Sequence, residues 1–374
     1  MNRRNWLKSG ALAVAGASVP DFWRPAEAAA VGLPKLAGLP IKARLMSNEN
    51  PYGPSAKAQK AIAEAISSGW MYPRESIMTF KKMIARENGV SEAHVLLGAG
   101  SGELLMASGI HYTLKGGAAT NIVGGDPTYM QLLRTALALG AEFKKTPLTK
   151  DFTYDFNGMA AAVNDKTSLV YLCNPNNPTG ILEDASKMTA FCEDLSKKKP
   201  LFIDEAYMDY AADPKASSMT ELVKKGHNVL IARTFSKIHG FAGLRIGYLI
   251  GQPDTLREIN KFCTGGGSMS ATSVKGAIAS YMDTDFLTYS KAKCLESKEY
   301  LYKTLKDKGY DYLPSSANFV LFPIKTEGKG FVEKMAQKGV AIKSWEFAGQ
   351  HWCRVSMGTL DEMKTFGEAF GTLA

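Results

Sequence analysis

In the stretch 233–247, RTFSKIHGFAGLRIG, one lysine and one arginine stand eight positions apart among hydroxyls and glycines. An amine on a flexible stem, partly desolvated and close to another cation, loses its proton readily and can attack a carbonyl carbon to form a Schiff base. Lys237 carries that amine, and Arg245 is the candidate neighbouring cation. Thr234, Ser236, Gly243 and Arg245 combine hydroxyls, an approachable backbone and a guanidinium, which together suit a phosphate. Asp204 closes the apolar run PLFID. A carboxylate at a dry strand end needs a cationic partner, or burial drives it neutral. Tyr207, three residues on, offers a phenol to a ring oxygen. Each residue also has a plainer reading, Lys237 as a surface lysine and Asp204 as a helix cap. The fixed offsets among them favour chemistry.

Two turns complete the set. NPNNPTG, residues 174–180, is a tight turn whose prolines fix φ and whose Gly180 permits an unusual backbone. GAGSGE, residues 98–103, resembles a phosphate cup, with exposed amides and Ser101 at a helix start. It lacks the lysine and hydroxyl of a triphosphate loop and the spacing of a dinucleotide fingerprint, so one phosphate suits it. Together these features ask for a ligand with a phosphate, an aromatic nitrogen, a ring hydroxyl and an aldehyde. Pyridoxal 5'-phosphate has all four.

The elements that must position these residues are legible as alternation. From about residue 90 to 250, short apolar runs (HVLLG, TNIVGG, SLVYLCN, PLFIDEAY, VLIART, LRIGYLIG) alternate with longer amphipathic segments. That is the pattern of an α/β fold with a mostly parallel sheet, in which both faces are covered and ligands gather beyond the carboxyl ends of the strands. Four of these runs end in GAGSGE, NPNNPTG, DEAY and TFSK. On this pattern the chain divides into a leader (1–30), an arm and first part of a smaller α+β domain (31–70), a large ligand-binding domain (71–265) and the remainder of the small domain (266–374).

Composition and charge exclude other classes. The 374 residues are 45% hydrophobic and 22% charged, an ordinary balance for a globular enzyme. MNRRNWLKSG followed by the short apolar run ALAVAGASVP reads as an address rather than a membrane span. Arg3, Arg4, Trp6, Leu7 and Lys8 resemble a twin-arginine signal, which predicts export of a folded protein to the periplasm, with AEAAA offering a cleavage site. No basic cluster interleaved with aromatics points to nucleic acid, and no spacing points to a metal. The five cysteines have no paired spacing and read as buried reduced thiols.

The set NENPYGP, MYPRES, GAGSGE, DPTY, NPNNPTG, DEAY, TFSKIHGFAGLRIG and RVSMG resembles the fold-type I pyridoxal-phosphate aminotransferases, class I/II, most of all the histidinol-phosphate aminotransferase branch. The resemblance implies that Lys237 holds the cofactor as a Schiff base and shuttles a proton, while Asp204 keeps the ring nitrogen protonated. It implies that Asn177 and Tyr207 bond the ring hydroxyl and that Tyr129 stacks on the ring. The phosphate would take the amides of Ala99 and Gly100, the hydroxyls of Ser101, Thr234 and Ser236, and Arg245. Tyr72 would reach the phosphate of a second copy in a homodimer, and Asn48 would line the substrate side. Arg354 would anchor a substrate carboxylate or phosphate through its planar fork. Lys343 stands where that branch usually carries a second arginine, and a lysine offers a point charge rather than a fork. The implied reaction is ping-pong transfer of an amino group between an amino acid, or amino alcohol phosphate, and a 2-oxo acid. Decarboxylation of an amino acid phosphate, β-elimination and non-catalytic cofactor binding are the alternatives on this scaffold.

Overall fold

The computed structural model describes residues 38–373. The leader and its cleavage site lie outside the described residues. A seven-stranded sheet is formed by β2 (Val95–Gly98), β3 (Asn121–Asp126), β4 (Glu142–Pro147), β5 (Thr167–Cys173), β6 (Leu201–Asp204), β7 (Val229–Thr234) and β8 (Gly247–Ile250), in the spatial order β2-β8-β7-β6-β5-β3-β4. Strand β8 is antiparallel to both neighbours, and the other pairings are parallel.

Successive side chains on a strand point to opposite faces, and here both faces are dry. Val170 and Leu172 on β5, Leu201 and Ile203 on β6 and Val229 and Ile231 on β7 enter one core. Their neighbours Leu169, Tyr171, Phe202, Leu230 and Ala232 enter the other. That two-sided burial is why these runs are continuously apolar. Strand β4 is the exception: at the sheet edge, EFKKTP has only Thr146 buried, so its charges conceal it in the sequence while shielding an open edge. LRIGYLIG also overstates β8, because Arg245 adopts φ 56° and pairing begins at Gly247.

A second core lies over a three-stranded antiparallel sheet of β9 (Phe319–Pro323), β11 (Lys343–Phe347) and β12 (Gln350–Ser356), in the order β11-β12-β9. Strand β1 (Ala43–Arg44) pairs in parallel with β10 (Val340–Ala341) beside it. The helices Thr284–Asp307, Gly328–Gln337 and Leu360–Gly371 cover this unit with Leu301, Val332 and Phe366.

The packing divides the chain differently from the boundaries at 70 and 265. Helices Ala56–Ala65 and Ala271–Tyr281 place Ala58, Val274 and Ala277 in the core of the large sheet, not in the small unit. A side chain at Gly276 would run into Ile62 and Phe241, so glycine is what lets these two helices approach. Helical periodicity identifies an apolar face without saying which sheet it covers.

Behind the ends of β6 and β7, Arg233 bonds Glu205 at 2.6 Å and 2.8 Å, with Asp209 at 3.6 Å. Glu205 also accepts from Ser218 Oγ and Met219 N at 2.9 Å. This pair clamps the two strand ends that carry Asp204 and lead to Lys237. Replacing Arg233 by alanine leaves a fully buried carboxylate unpaired, so Arg233→Ala should lose about 3–5 kcal/mol in urea unfolding. A loss below about 1 kcal/mol would show the clamp to be dispensable.

Candidate active site

The carboxyl ends of β2, β5, β6 and β7 open into one cavity of about 250 Å³, closed on its far side by β11 and β12 of the smaller unit. Lys237, Asp204, Tyr207, Ser101, Tyr129, Asn177, Thr234, Ser236, Arg245, Asn48, Lys343 and Arg354 all line it.

Lys237 follows Thr234, the last residue of β7, in the turn just past the strand end. Its Nζ donates to the main-chain oxygen of Asn48 at 3.2 Å and stands 5.4 Å from the centre of the Tyr207 ring. Desolvation, and then the charge of Arg354, lower the amine to a pKa of about 8, while Glu49 and Asp204 oppose the shift. Arg245 also lowers it, but Arg354 is the stronger cation, which corrects the expectation from the eight-residue spacing. The neighbour that matters most comes from a strand far along the chain, and local spacing could not reveal it.

The ring-binding side is a connected network. The Tyr207 hydroxyl accepts from Asn48 Nδ2 at 2.9 Å and Asn177 Nδ2 at 3.3 Å, and burial raises its pKa. Asn177 follows a cis bond to Pro175 by two positions and precedes a cis bond to Pro178. Its Oδ1 accepts from Arg354 at 2.6 Å. Asp204 is 2% exposed, with Oδ1 accepting from Ala206 N at 3.1 Å.

The phosphate end differs from expectation in one respect. The Ala99 amide donates to Glu103 Oε2 at 2.6 Å and the Gly100 amide to Gly98 O at 2.8 Å, so both have partners within the turn. Glu103 stands in the first helical turn, where a carboxylate is favoured, and also accepts from Thr264 N at 2.8 Å. The cavity is lined instead by Ser101 and Gly102, which open the helix Ser101–Gly116. Arg245 reaches Ser236 Oγ at 3.2 Å. Gly100, at φ 79°, leaves the space into which a Cβ would collide with the Arg245 guanidinium. Hydroxyls, a helix start, a guanidinium, an amine and a carboxylate thus line one cavity. That donor set fits pyridoxal 5'-phosphate.

On the substrate side, Lys343 and Arg354 are directly opposed on β11 and β12 and are 4% and 5% exposed. The Arg354 guanidinium lies between Trp345 at 4.4 Å and Phe319 at 5.1 Å, which restricts its plane. Tyr72 does not line this cavity; it is 76% exposed on the turn before the helix Arg74–Glu87.

Among the lining residues with no counterpart in the sequence-based candidates, Gln131 and Trp345 stand out by their side-chain contacts. Gln131 accepts from Tyr129 Oη at 2.9 Å and donates to Gly102 O at 3.0 Å, joining Tyr129 to the start of the helix Ser101–Gly116. Trp345 shares a strand face with Lys343, so period-two spacing is the signal that could reveal it.

The model of the family described as aminotransferase class I and II matches residues 40–370. The chain is similar to the histidinol-phosphate aminotransferase of Moorella thermoacetica, 33% identical over 86% of this chain and 83% of the relative. It is also similar to that of Brevibacillus brevis, 31% identical over 87% and 88%. Among solved structures, the Sinorhizobium meliloti histidinol-phosphate aminotransferase in complex with pyridoxal-5'-phosphate aligns with a TM-score of 0.82 and 28% identity, over 96% of this chain and all of that one.

Burial raises Asp204 to a pKa of about 7, against the lowering effects of the Ala206 amide and Lys237. The unfolded chain titrates such a group near pH 4, so in the ligand-free protein the charged carboxylate costs stability increasingly from about pH 4 to 7, and fully above that. Asp204→Asn should therefore stabilise the ligand-free chain at pH 8 and have no such effect near pH 4. The ceiling on that gain is about 1.4 kcal/mol for each pH unit between the two limits. Thermal melts at the two pH values check this; an advantage equal at both would remove the carboxylate's charge as the cause.

Proposed function

The chain belongs to the aminotransferase class I and II family and is a pyridoxal-phosphate-dependent aminotransferase; from that premise we propose that Lys237 is its catalytic amine, Asp204 the partner of the cofactor ring and Arg354 its substrate anchor. The observation that carries this reading is their placement in one cavity, with a low-pKa amine between a buried carboxylate and a buried guanidinium. Bound there, pyridoxal 5'-phosphate supplies an aldehyde that joins amines and a ring that withdraws electrons from the substrate's α-carbon.

Lys237 Nζ, whose pKa of about 8 gives it a neutral fraction near physiological pH, takes a proton from the α-carbon of the amino donor in that form. Asp204 becomes charged when a cationic nitrogen meets it, and so keeps that nitrogen protonated. Tyr207 and Asn177 fix the ring hydroxyl. Ser101, Thr234, Ser236 and Arg245 hold the phosphate, and Tyr129 covers the ring face. Arg354 and Lys343 receive the anionic end of the substrate, and Asn48 lines the same cavity. The relatives are histidinol-phosphate aminotransferases, and the Lys343 point charge replaces a second fork in this chain. We therefore extend the proposal to an anionic amino donor with a 2-oxo acid acceptor.

Two further readings belong to the same proposal. The twin-arginine resemblance of residues 3–8 supports export of the folded chain to the periplasm. The presence of five free cysteines is consistent with folding before export. A homodimer is supported by the exposed apolar group Ile66, Trp70, Met71, Tyr72 and Met78, which a second copy would cover while Tyr72 enters its site.

Lys237→Ala should lower amino transfer by about 10²–10⁴-fold or more, and borohydride reduction of wild type with cofactor should tag the peptide containing Lys237. Turnover of amino acids without an oxo acid would instead assign decarboxylation or elimination. Trp70→Glu should convert a dimer to monomer in sedimentation and depress cofactor retention through loss of the partner copy's tyrosine; unchanged sedimentation would sink the proposed interface.

A further inference from the structure

Asn48 is held more tightly than a residue that merely lines a pocket. It adopts φ 53°, in the left-handed region that asparagine enters more readily than other non-glycine residues, and a set of bonds holds it there. Its amide donates to Ser356 Oγ at 2.8 Å, and the same hydroxyl donates to Asn48 Oδ1 at 2.8 Å. Its carbonyl accepts from Asn318 Nδ2 at 3.0 Å, and Asn318 also bonds Glu49 O at 3.3 Å. Asn50 Nδ2 donates to Ile238 O at 2.7 Å, joining the same arm to the residue after the lysine. Ser356 thus fixes the amide and side chain of Asn48, and the Asn318 bond ends on the Asn48 carbonyl oxygen, whose second donor is Lys237 Nζ at 3.2 Å.

We infer that this main-chain carbonyl is the berth of the Lys237 amine whenever the amine is not bonded to carbon, and that Ser356 and Asn318 are positioning residues that aim it. The inference rests on the proposed role of Lys237. In every catalytic cycle the amine must leave the cofactor, remain within reach of the α-carbon and keep a proton available. A fixed acceptor does all three, and by bonding the ammonium it favours the charged form against desolvation. The other charged groups facing Nζ are Asp204 on β6, Arg354 on β12, Arg245 before β8 and Glu49 on the arm, with Lys343 on β11 across the cavity. The Ser356 hydroxyl and the Asn318 amide bond the arm rather than these groups, so they reach the amine through Asn48.

The test uses the full chain freed of cofactor, as wild type, Ser356→Ala, Ser356→Thr and Asn318→Ala. Added pyridoxal 5'-phosphate condenses with the neutral amine, forming a C=N bond and releasing water, so the pH dependence of the rate reports the amine's titration. The midpoint in Ser356→Ala and Asn318→Ala should fall by about half to one pH unit, and Ser356→Thr should match wild type. Unchanged midpoints in both alanine variants, or an equal fall in the threonine variant, overturn the inference; if one alanine variant does not fold, the other decides. Borohydride reduction followed by peptide mapping separates the premises. A tag on another lysine defeats the role of Lys237, whereas a tag on Lys237 with unmoved midpoints defeats only the berth.

Discussion

An excess of positive charge in a desolvated cavity is the constraint on which the site depends. Lys237, Arg245, Lys343 and Arg354 converge on about 250 Å³, and Asp204 is the acid among the lining residues. Like charges brought this close out of water repel, and anionic ligands would relieve that repulsion. The proposed phosphate and acidic substrate would do so. Burial is the first cause both of the lowered pKa of Lys237 and of the raised pKa of Asp204; the surrounding cations add to the first shift, and Lys237 opposes the second.

The large sheet is what makes such crowding possible. With both faces dry, the strands are rigid and their ends are placed by hydrogen-bond register. Cys173 pairs with Asp204 and Asp204 with Ala232. The buried Arg233–Glu205 pair then fixes the residues just beyond those ends. The small unit supplies what the sheet cannot, a wall with two opposed cations on β11 and β12.

Much of this is legible in the chain because the chemistry sits where local rules apply. A continuous apolar run that ends in an ionisable residue marks a strand end, and that rule picks out both Asp204 and Lys237. What escapes it depends on distant pairing. Ser356 and Asn318 meet because β12 and β9 align Ser356 with Phe319, and no local pattern announces that register. The family resemblance implies that the amides of Ala99 and Gly100 take the phosphate. The Glu103 carboxylate, at the start of the next helix, takes the first, and the turn's own carbonyl takes the second. The helices Ala56–Ala65 and Ala271–Tyr281 join the large sheet rather than the small unit, because amphipathicity has no address.

Asn48 and Ser356 are separated by 308 positions, yet both grip the surroundings of one amine. During synthesis the lysine emerges long before the hydroxyl that completes its setting. The vitamin pocket therefore exists only once synthesis has passed Ser356 and the two distant parts have docked. Capture of the coenzyme then reports that long-range closure, not merely a formed sheet.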